Sequence, residues 1–534
     1  MKKTLRCVSA GLAIAALLAG VCHAGEFKLI AAVDGTRNSH MTADIIGDTL
    51  IVGVHEGFGL AKIYVGGGKR WKEQAELAAL VGGGDKNKGV PGFGWSVALT
   101  APHEFASADI AVIGAARDHE KGDLSGSAYV FERNRNTWKQ QEKLIGKDTA
   151  EQDNFGWAVA ADRNIAVVGA PGDDDAGSGS GSAYVFEYRG LKWRETAKLV
   201  PKDLDRSAAL GTSVLVQMDT IIVGAPKQTY NNVRFTGVAF VFRRDGERWV
   251  EDGTLSAVDA DKSDGFGTSI AISGETVVVG APLADTARGK DAGAAYVFVR
   301  DGGGWKQEAK LNSTDSKKAD QFGFSVAIEG HNIIVGAKTR DEKEPGSGAA
   351  YSFVRTNGVW EQKQKVAPND PGQKINYGAW VAISNNTVIV SAHNAPNDGP
   401  EWGKGAAVHI YSAVDDFDTI PYSVEPFGLA VTTFGKVRRT ALLQNFPNPF
   451  NPETWLPYRL AADAPVNFRI YNVRGQQIRE LDLGVQKAGD YLSRDAAAYW
   501  DGRDEVGQTV SSGVYFFSLQ ADTFRATRRM LIAK

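Results

Sequence analysis

The chain has 534 residues, with 60 basic against 63 acidic side chains and 61 glycines. No block of basic residues stands out, which speaks against nucleic acid as a partner. The two cysteines, Cys7 and Cys22, both lie in the first 24 residues, so the remainder holds no disulfide, thiolate zinc site or cysteine nucleophile.

In chain order, Lys2, Lys3 and Arg6 give a positive start, residues 8–21 are short and apolar, and Cys22-His23-Ala24 offers small residues where a signal peptidase reads. This predicts a signal peptide over 1–24. The run falls short of the roughly 20 apolar residues that span a bilayer, and no later stretch is long and apolar enough to do so. Removing the three basic residues leaves 57 against 63, a net charge of −6. The expectation is a secreted or outer-surface protein held together by its hydrophobic core.

From residue 27 onward the sequence repeats itself. One unit reads Phe266-Gly267-Thr268-Ser269-Ile270, then Val277-Val278-Val279-Gly280-Ala281-Pro282, then Ala294-Ala295-Tyr296-Val297-Phe298, Trp305 and Lys310-Leu311. The glycine that closes the second run recurs as Gly53, Gly114, Gly169, Gly224, Gly280 and Gly336, with Ser391 in its place last; from Gly114 the spacing is 55, 55, 56, 56 and 55 residues. Four strand-length runs per unit at this period predict a propeller blade, whose sheet cannot bury both faces alone and must stack on neighbours. The first unit begins with Phe27-Lys28-Leu29-Ile30, which matches the end of a fourth strand, and the last unit lacks one. Residues 26–31 are therefore expected to complete the last blade and clasp a ring. The fold class is all-β: a seven-bladed β-propeller over 25–412, a linker over 413–440, and a small Ig-like β-sandwich over 441–534.

The Phe-Gly openings at 93, 155, 266 and 322 and the Gly-Ala-Pro closings at 169, 224 and 280 resemble FG-GAP repeats, the blade motif of integrin α-subunit propellers and many bacterial surface proteins. Leu210-Gly211 and Tyr377-Gly378 are near matches, and the first unit lacks the Phe-Gly. Integrin-like members carry a calcium cage in the hairpin between the two motifs. A calcium ion needs six to eight oxygens, whereas Ser273-Gly274-Glu275-Thr276 and its counterparts are tight turns with at most one carboxylate. Calcium is not carried over, and no cofactor is expected. Asp148, Asp203, Asp259, Asp315 and Asp370, seven residues before each Phe-Gly position, and Asp153, Asp264 and Asp320, two before it, repeat from unit to unit and predict local hydrogen bonds to turns.

The loops after the second strand vary most: 117–125, 172–180, 227–236, 283–292, 338–347 and 394–404. They fall on one face, opposite the hairpins, and variable loops on a rigid scaffold are where binding usually lives. Tyr230, Phe235 and Trp402 are large side chains in polar loops and are candidate ligand contacts. Asp173, Asp174 and Asp175, before a Gly-Ser run, are a candidate cation or ligand site, against which stands a plain solvated loop. The innermost strands read small or apolar, without paired carboxylates, and the histidines show no metal spacing, so no enzyme is expected.

Asn445-Phe446-Pro447-Asn448-Pro449-Phe450-Asn451-Pro452, Ile470-Tyr471-Asn472, Trp500-Asp501-Gly502, Ser512-Gly513-Val514-Tyr515-Phe516 and Arg528-Arg529-Met530 closely resemble the Ig-like domain related to the flagellar hook-capping protein, and the terminal sorting domains of type IX secretion cargo. That resemblance implies that 441–534 engages secretion machinery. The expected function is binding of an extracellular protein or polysaccharide; a polysaccharide hydrolase or lyase and a structural surface-layer component are the alternatives.

Overall fold

The structure is a computed structural model. It describes residues 27–34, 41–55, 58–67, 70–79, 89–100, 109–189, 192–302, 304–340, 346–367, 375–385, 387–392, 407–413, 440–442, 445, 453–491, 496–522 and 524–532. The expected signal segment 1–24, Trp402, residues 414–439 of the linker and 446–452 lie outside them.

The chain is all-β, a series of four-stranded antiparallel sheets consistent with a β-propeller, followed by an Ig-like region. In the fifth sheet Ser269–Ser273, Thr276–Ala281, Ala294–Asp301 and Gly304–Leu311 pair in sequence order. The first four residues of the third strand are apolar because both of its faces are covered, whereas the fourth strand shows charged residues to water. Sheets 1, 2, 3, 4 and 6 repeat this order over 41–77, 93–144, 158–199, 213–255 and 322–366. The last sheet takes three strands, Val381–Ser384, Thr387–Ala392 and Ala407–Ala413, from the end of the array and its fourth, Phe27–Asp34, from the beginning. The N-terminal strand runs antiparallel to Ala407–Ala413, Phe27 opposite Ala413 and Asp34 opposite Ala407, with an irregularity between Leu29 and Ala31. It reaches three residues beyond the expected 26–31, matching the length of its partner.

Each junction between sheets has its own apolar cluster. Val167, Val185 and Leu210 meet Val214, Val223 and Val238 between sheets 3 and 4. Met41, Ala43, Ile45 and Val52 of sheet 1 meet Ile389, Val408 and Ile410 of the last sheet. A fully buried Val or Ile contributes roughly 1.5–3 kcal/mol, so these clusters carry the stability that disulfides supply elsewhere. The first strands of successive sheets crowd one another, including those of sheet 1 and the last sheet, and lie nearest the axis.

Polar staples repeat on the hairpin face. A side chain at the end of one first strand accepts from a backbone amide in the next sheet's hairpin: Arg163 N donates to Thr100 Oγ1 (2.6 Å), Gly330 N to Ser273 Oγ (2.9 Å) and Asn385 N to Glu329 Oε1 (2.9 Å). Gly47 N of sheet 1 donates to Ser384 Oγ of the last sheet (3.1 Å) in the same way.

The Phe-Gly and Gly-Ala-Pro motifs lock one sheet to the next. The motif phenylalanine packs edge-on against two rings of its own sheet, as Phe322 does on Tyr351 (5.5 Å) and Phe353 (5.9 Å). Gly323 lies at φ 91° with its carbonyl against Gly280 of the preceding sheet; a Cβ on Gly280 would sit 1.9 Å from that oxygen. Ser269 Oγ donates to the same oxygen at 3.0 Å. Ser391 stands at the equivalent place in the last sheet, whose neighbour, sheet 1, is the one whose sequence lacks a Phe-Gly.

In the C-terminal region Gln477–Gln486, Ala464–Asn472, Gly513–Ala521 and Phe524–Ile532 form one sheet, packed through Phe468, Ile470, Phe517 and Leu519 against Tyr458, Leu460 and Trp500 from two smaller sheets. Thr454–Leu456 and Tyr458–Leu460 are separate strands, paired with different partners. Pro457 between them has no amide to continue a ladder. Buried Trp500 donates from Nε1 to Arg503 O (2.8 Å), and Arg503 N donates to Asp501 Oδ1 (3.1 Å), so Trp500-Asp501-Gly502-Arg503 is a strand end closed by an Asx turn.

Candidate functional site

First strands run from the loop face to the hairpin face, so the residue after each Phe-Gly stands at the mouth formed by the loop-face ends of these innermost strands. It is Trp95, Trp157, Thr212, Thr268, Phe324 and Ala379 in sheets 2 to 6 and the last. Thr212 and Thr268 fold back, donating Oγ1 to Ala209 O (2.7 Å) and Gly265 O (2.6 Å). The aromatic residues do not. The partly exposed ring of Trp95 lies 4.8 Å from that of Trp157, across the junction between sheets 2 and 3, and 4.6 Å from His55 of sheet 1. The Arg117 guanidinium lies 4.9 Å from the Trp95 ring, and Lys338 Nζ 3.4 Å from the Phe324 ring. Burial pushes the Lys338 amine down to about 8. Among the described residues no acid pairs with it, and a desolvated cation costs stability of a kind that gathers at binding sites.

The first strand of sheet 1 carries a buried carboxylate at its middle. Asp44 accepts from Leu99 N (2.7 Å) and Ile45 N (2.8 Å), and burial pushes its carboxyl up to about 6. The matching residues of the other sheets are Ala98, Ala160, Leu215, Ala271, Ala327 and Ala382, each two before the strand-two glycine in register. Reading the first strands as small or apolar overlooked sheet 1; aligning Met41–Ile46 on Gly53 reveals the acid.

The structure separates the three consecutive aspartates. Asp173 is buried and accepts from Ser182 Oγ (2.9 Å), Tyr184 OH (2.8 Å) and Lys198 Nζ (2.8 Å), so it anchors the loop from beneath. Asp174 caps Gly179 N (2.6 Å), and Asp175, exposed, pairs with Lys198. The loop is thus bonded at each aspartate, unlike the plain solvated loop considered from sequence. Among the described residues no group of three or more His, Cys, Asp or Glu could hold a metal ion.

The same corner varies in charge from sheet to sheet. Sheet 2 has Asp118 on Lys143 (2.7 Å), and sheet 4 has Gln228 bonded to Asp203 O and Asp205 N. Sheet 6 has buried Arg340, paired with buried Asp320 and, at 3.0 Å, with Asp315. Replacing Arg340 by Ala is expected to cost about 3–5 kcal/mol, because Asp320 would keep a buried, uncompensated charge. Burial already raises the Asp320 pKa above its ordinary value, and Arg340 works against that rise. In the variant the penalty is present while Asp320 is ionised and fades as pH falls through its raised pKa. Urea denaturation should therefore show a larger deficit at pH 7 than at pH 4.5.

Of the repeated aspartates, those two before the Phe-Gly make the expected local bonds. Asp153, Asp264 and Asp320 accept from the amides of Ala150, Asp261 and Lys317 at 2.7 Å each. Asp148 and Asp315 also bond a tyrosine and a lysine of the following sheet, which sequence spacing does not reveal.

Of the aromatic candidates, Tyr230 packs partly buried on the core between sheets 3 and 4. Phe235 is 42 % exposed and held at φ 60°, a conformation that is costly for a bulky residue. Neither is recorded in contact with the Trp95–Trp157 cluster.

Six stretches, 71–131, 138–186, 193–242, 249–298, 305–353 and 360–411, match the FG-GAP repeat and together cover more than half of the chain. The chain belongs to the FG-GAP repeat family. Residues 454–524 match the FlgD Ig-like domain, and no curated protein matches the chain. Each FG-GAP match starts at the fourth-strand tryptophan of one sheet and ends in the third strand of the next, as 305–353 runs from Trp305 to Phe353. The FG-GAP repeat is thus one strand out of phase with the sheet. Six matches leave over the first three strands of sheet 1 and the strand Phe27–Asp34.

Proposed function

We propose that the chain is a secreted or cell-surface binding protein, a seven-bladed propeller sealed by Phe27–Asp34 that offers its loop face to an extracellular ligand, with 441–534 serving export in the manner of a type IX sorting domain. The observation that carries the binding role is large side chains left partly exposed on the loop face: Trp95 and Phe324 at the mouth, and Phe235 held exposed at φ 60°. Rigid sheets stapled on both faces supply a preorganised platform for them. Among the described residues the chemistry at the mouth is cationic and aromatic, which suits binding.

The test is a protein and glycan binding array probed with the full chain, and with a variant in which 227–236 is replaced by the sequence of 172–180. Loss of the signal on exchange supports this face as the binding surface. Undiminished binding rejects it.

A further inference from the structure

Three cations stand at the mouth with no counter-charge among the described residues. Arg117, Lys227 and Lys338 belong to sheets 2, 4 and 6, at the first or second position after the Gly-Ala that ends strand two. Among the described residues none of them has an ion-pair partner. The matching residues on the other sheets are Pro171-Gly172 and Pro282-Leu283, and in sheet 1 His55 followed by Glu56, the one acid in these places on the first six sheets, which lies outside the described residues. The whole chain carries a net charge of −3, so the positive mouth runs against the sign of the molecule. Arg117 and Lys227 are exposed and Lys338 is half-buried on Phe324.

From this arrangement we infer that the mouth binds an acidic polysaccharide, its carboxylates meeting Arg117, Lys227 and Lys338 and its sugar rings resting on Trp95, Trp157 and Phe324. The assignment rests on the loop face being the binding face. Cations on alternate sheets lie too far round the ring for one small anion, whereas a polymer charged at each unit meets several and gains by multivalency. The aromatic partners decide between an acidic glycan and an acidic peptide. Trp95 and Trp157 are tilted by 47° and lie side by side, and His55 continues the row at 38° to Trp95. That row is a stepped, partly exposed surface suited to the flat C–H face of a pyranose. A peptide would require a closed pocket for a side-chain anchor.

The repeats themselves supply variants compatible with the fold. Threonine occupies the Trp95 position in sheets 4 and 5, and leucine the Arg117 position in sheet 5. The experiment titrates the full chain with polygalacturonate fragments, with the same fragments methyl-esterified, and with poly-glutamate. The expected result is binding of the free acid, at least tenfold weaker binding of the ester, and at least tenfold weaker binding of the acid by each of Trp95→Thr, Arg117→Leu and Lys338→Met, with unfolding curves confirming that each variant is folded. Poly-glutamate bound as tightly as the glycan, with no loss in Trp95→Thr, would assign the mouth to acidic peptides and overturn the inference. So would affinity unchanged in Arg117→Leu and Lys338→Met, or no binding of polygalacturonate. In that last case the loop exchange still decides separately whether this face binds a ligand of another kind.

Discussion

Replacing Gly280 by alanine is expected to cost about 3–5 kcal/mol, the scale of severe overpacking. The added Cβ would lie 1.9 Å from Gly323 O and 2.3 Å from Ser269 Oγ. The oxygen belongs to the backbone of the next sheet and cannot swing aside like a side-chain end, so the two sheets must part or Gly323 must leave φ 91°. Ser269 also loses its bond to that oxygen if the junction opens. The matched control is Ser391→Ala, at the equivalent position in the last sheet. Ser391 already carries a side chain, and its buried Oγ has no hydrogen-bond partner among the described residues, so trimming it should change stability by less than about 1 kcal/mol. Denaturant unfolding of both variants reads the contrast. Equal, small effects would show that the glycine is not where the sheets interlock.

Deleting residues 27–34 is expected to be more damaging still. The strand pairs along its length with Ala407–Ala413 and completes the last sheet. At a net of about 1 kcal/mol per hydrogen bond, before lost packing, the cost is about 5 kcal/mol or more. It also bares a strand edge that invites association. The truncated protein should unfold at lower denaturant, with a broadened transition, and elute as aggregates in size-exclusion chromatography. A synthetic peptide of residues 27–34 added in excess should restore part of the lost stability by mass action. A truncated chain that unfolds like the intact one would mean the array does not depend on this strand.

Much of this architecture was legible because the sequence states it several times. The recurring glycine, the alternation within strands and the surplus strand at the start pointed to four-stranded sheets and to the pairing of 27–34 with 407–413. A single unit would not have sufficed: Ser269–Ser273 alone is a short apolar run consistent with many folds. The reason for the motif was not legible, since the glycine of one unit answers to a carbonyl some 43 residues later, a spacing that periodicity alone does not single out. The candidate site was read less well, because search by local oddity favoured the run of three aspartates. Asp173 turns inward because Tyr184 and Lys198 of its own sheet reach it, which spacing does not show. The mouth was hidden by its regularity: Trp95 and Trp157 look like core residues, and they stand out only against Thr212 and Thr268 at the same place in sister units. Arg117, Lys227 and Lys338 are unremarkable singly and form a set only once the sheets are arranged round an axis.

The seam has a consequence for how the chain is born. A nascent polypeptide grows at about 5–20 residues per second, so the roughly 370 residues separating Asp34 from Ala407 take on the order of 20–70 s to appear. Throughout that interval the earliest strand has no native partner, while the intervening sheets can form one after another from contiguous segments. Of the strands in the array this one is therefore made first and docks last, and it spends the longest time exposed to chaperones and to neighbouring chains.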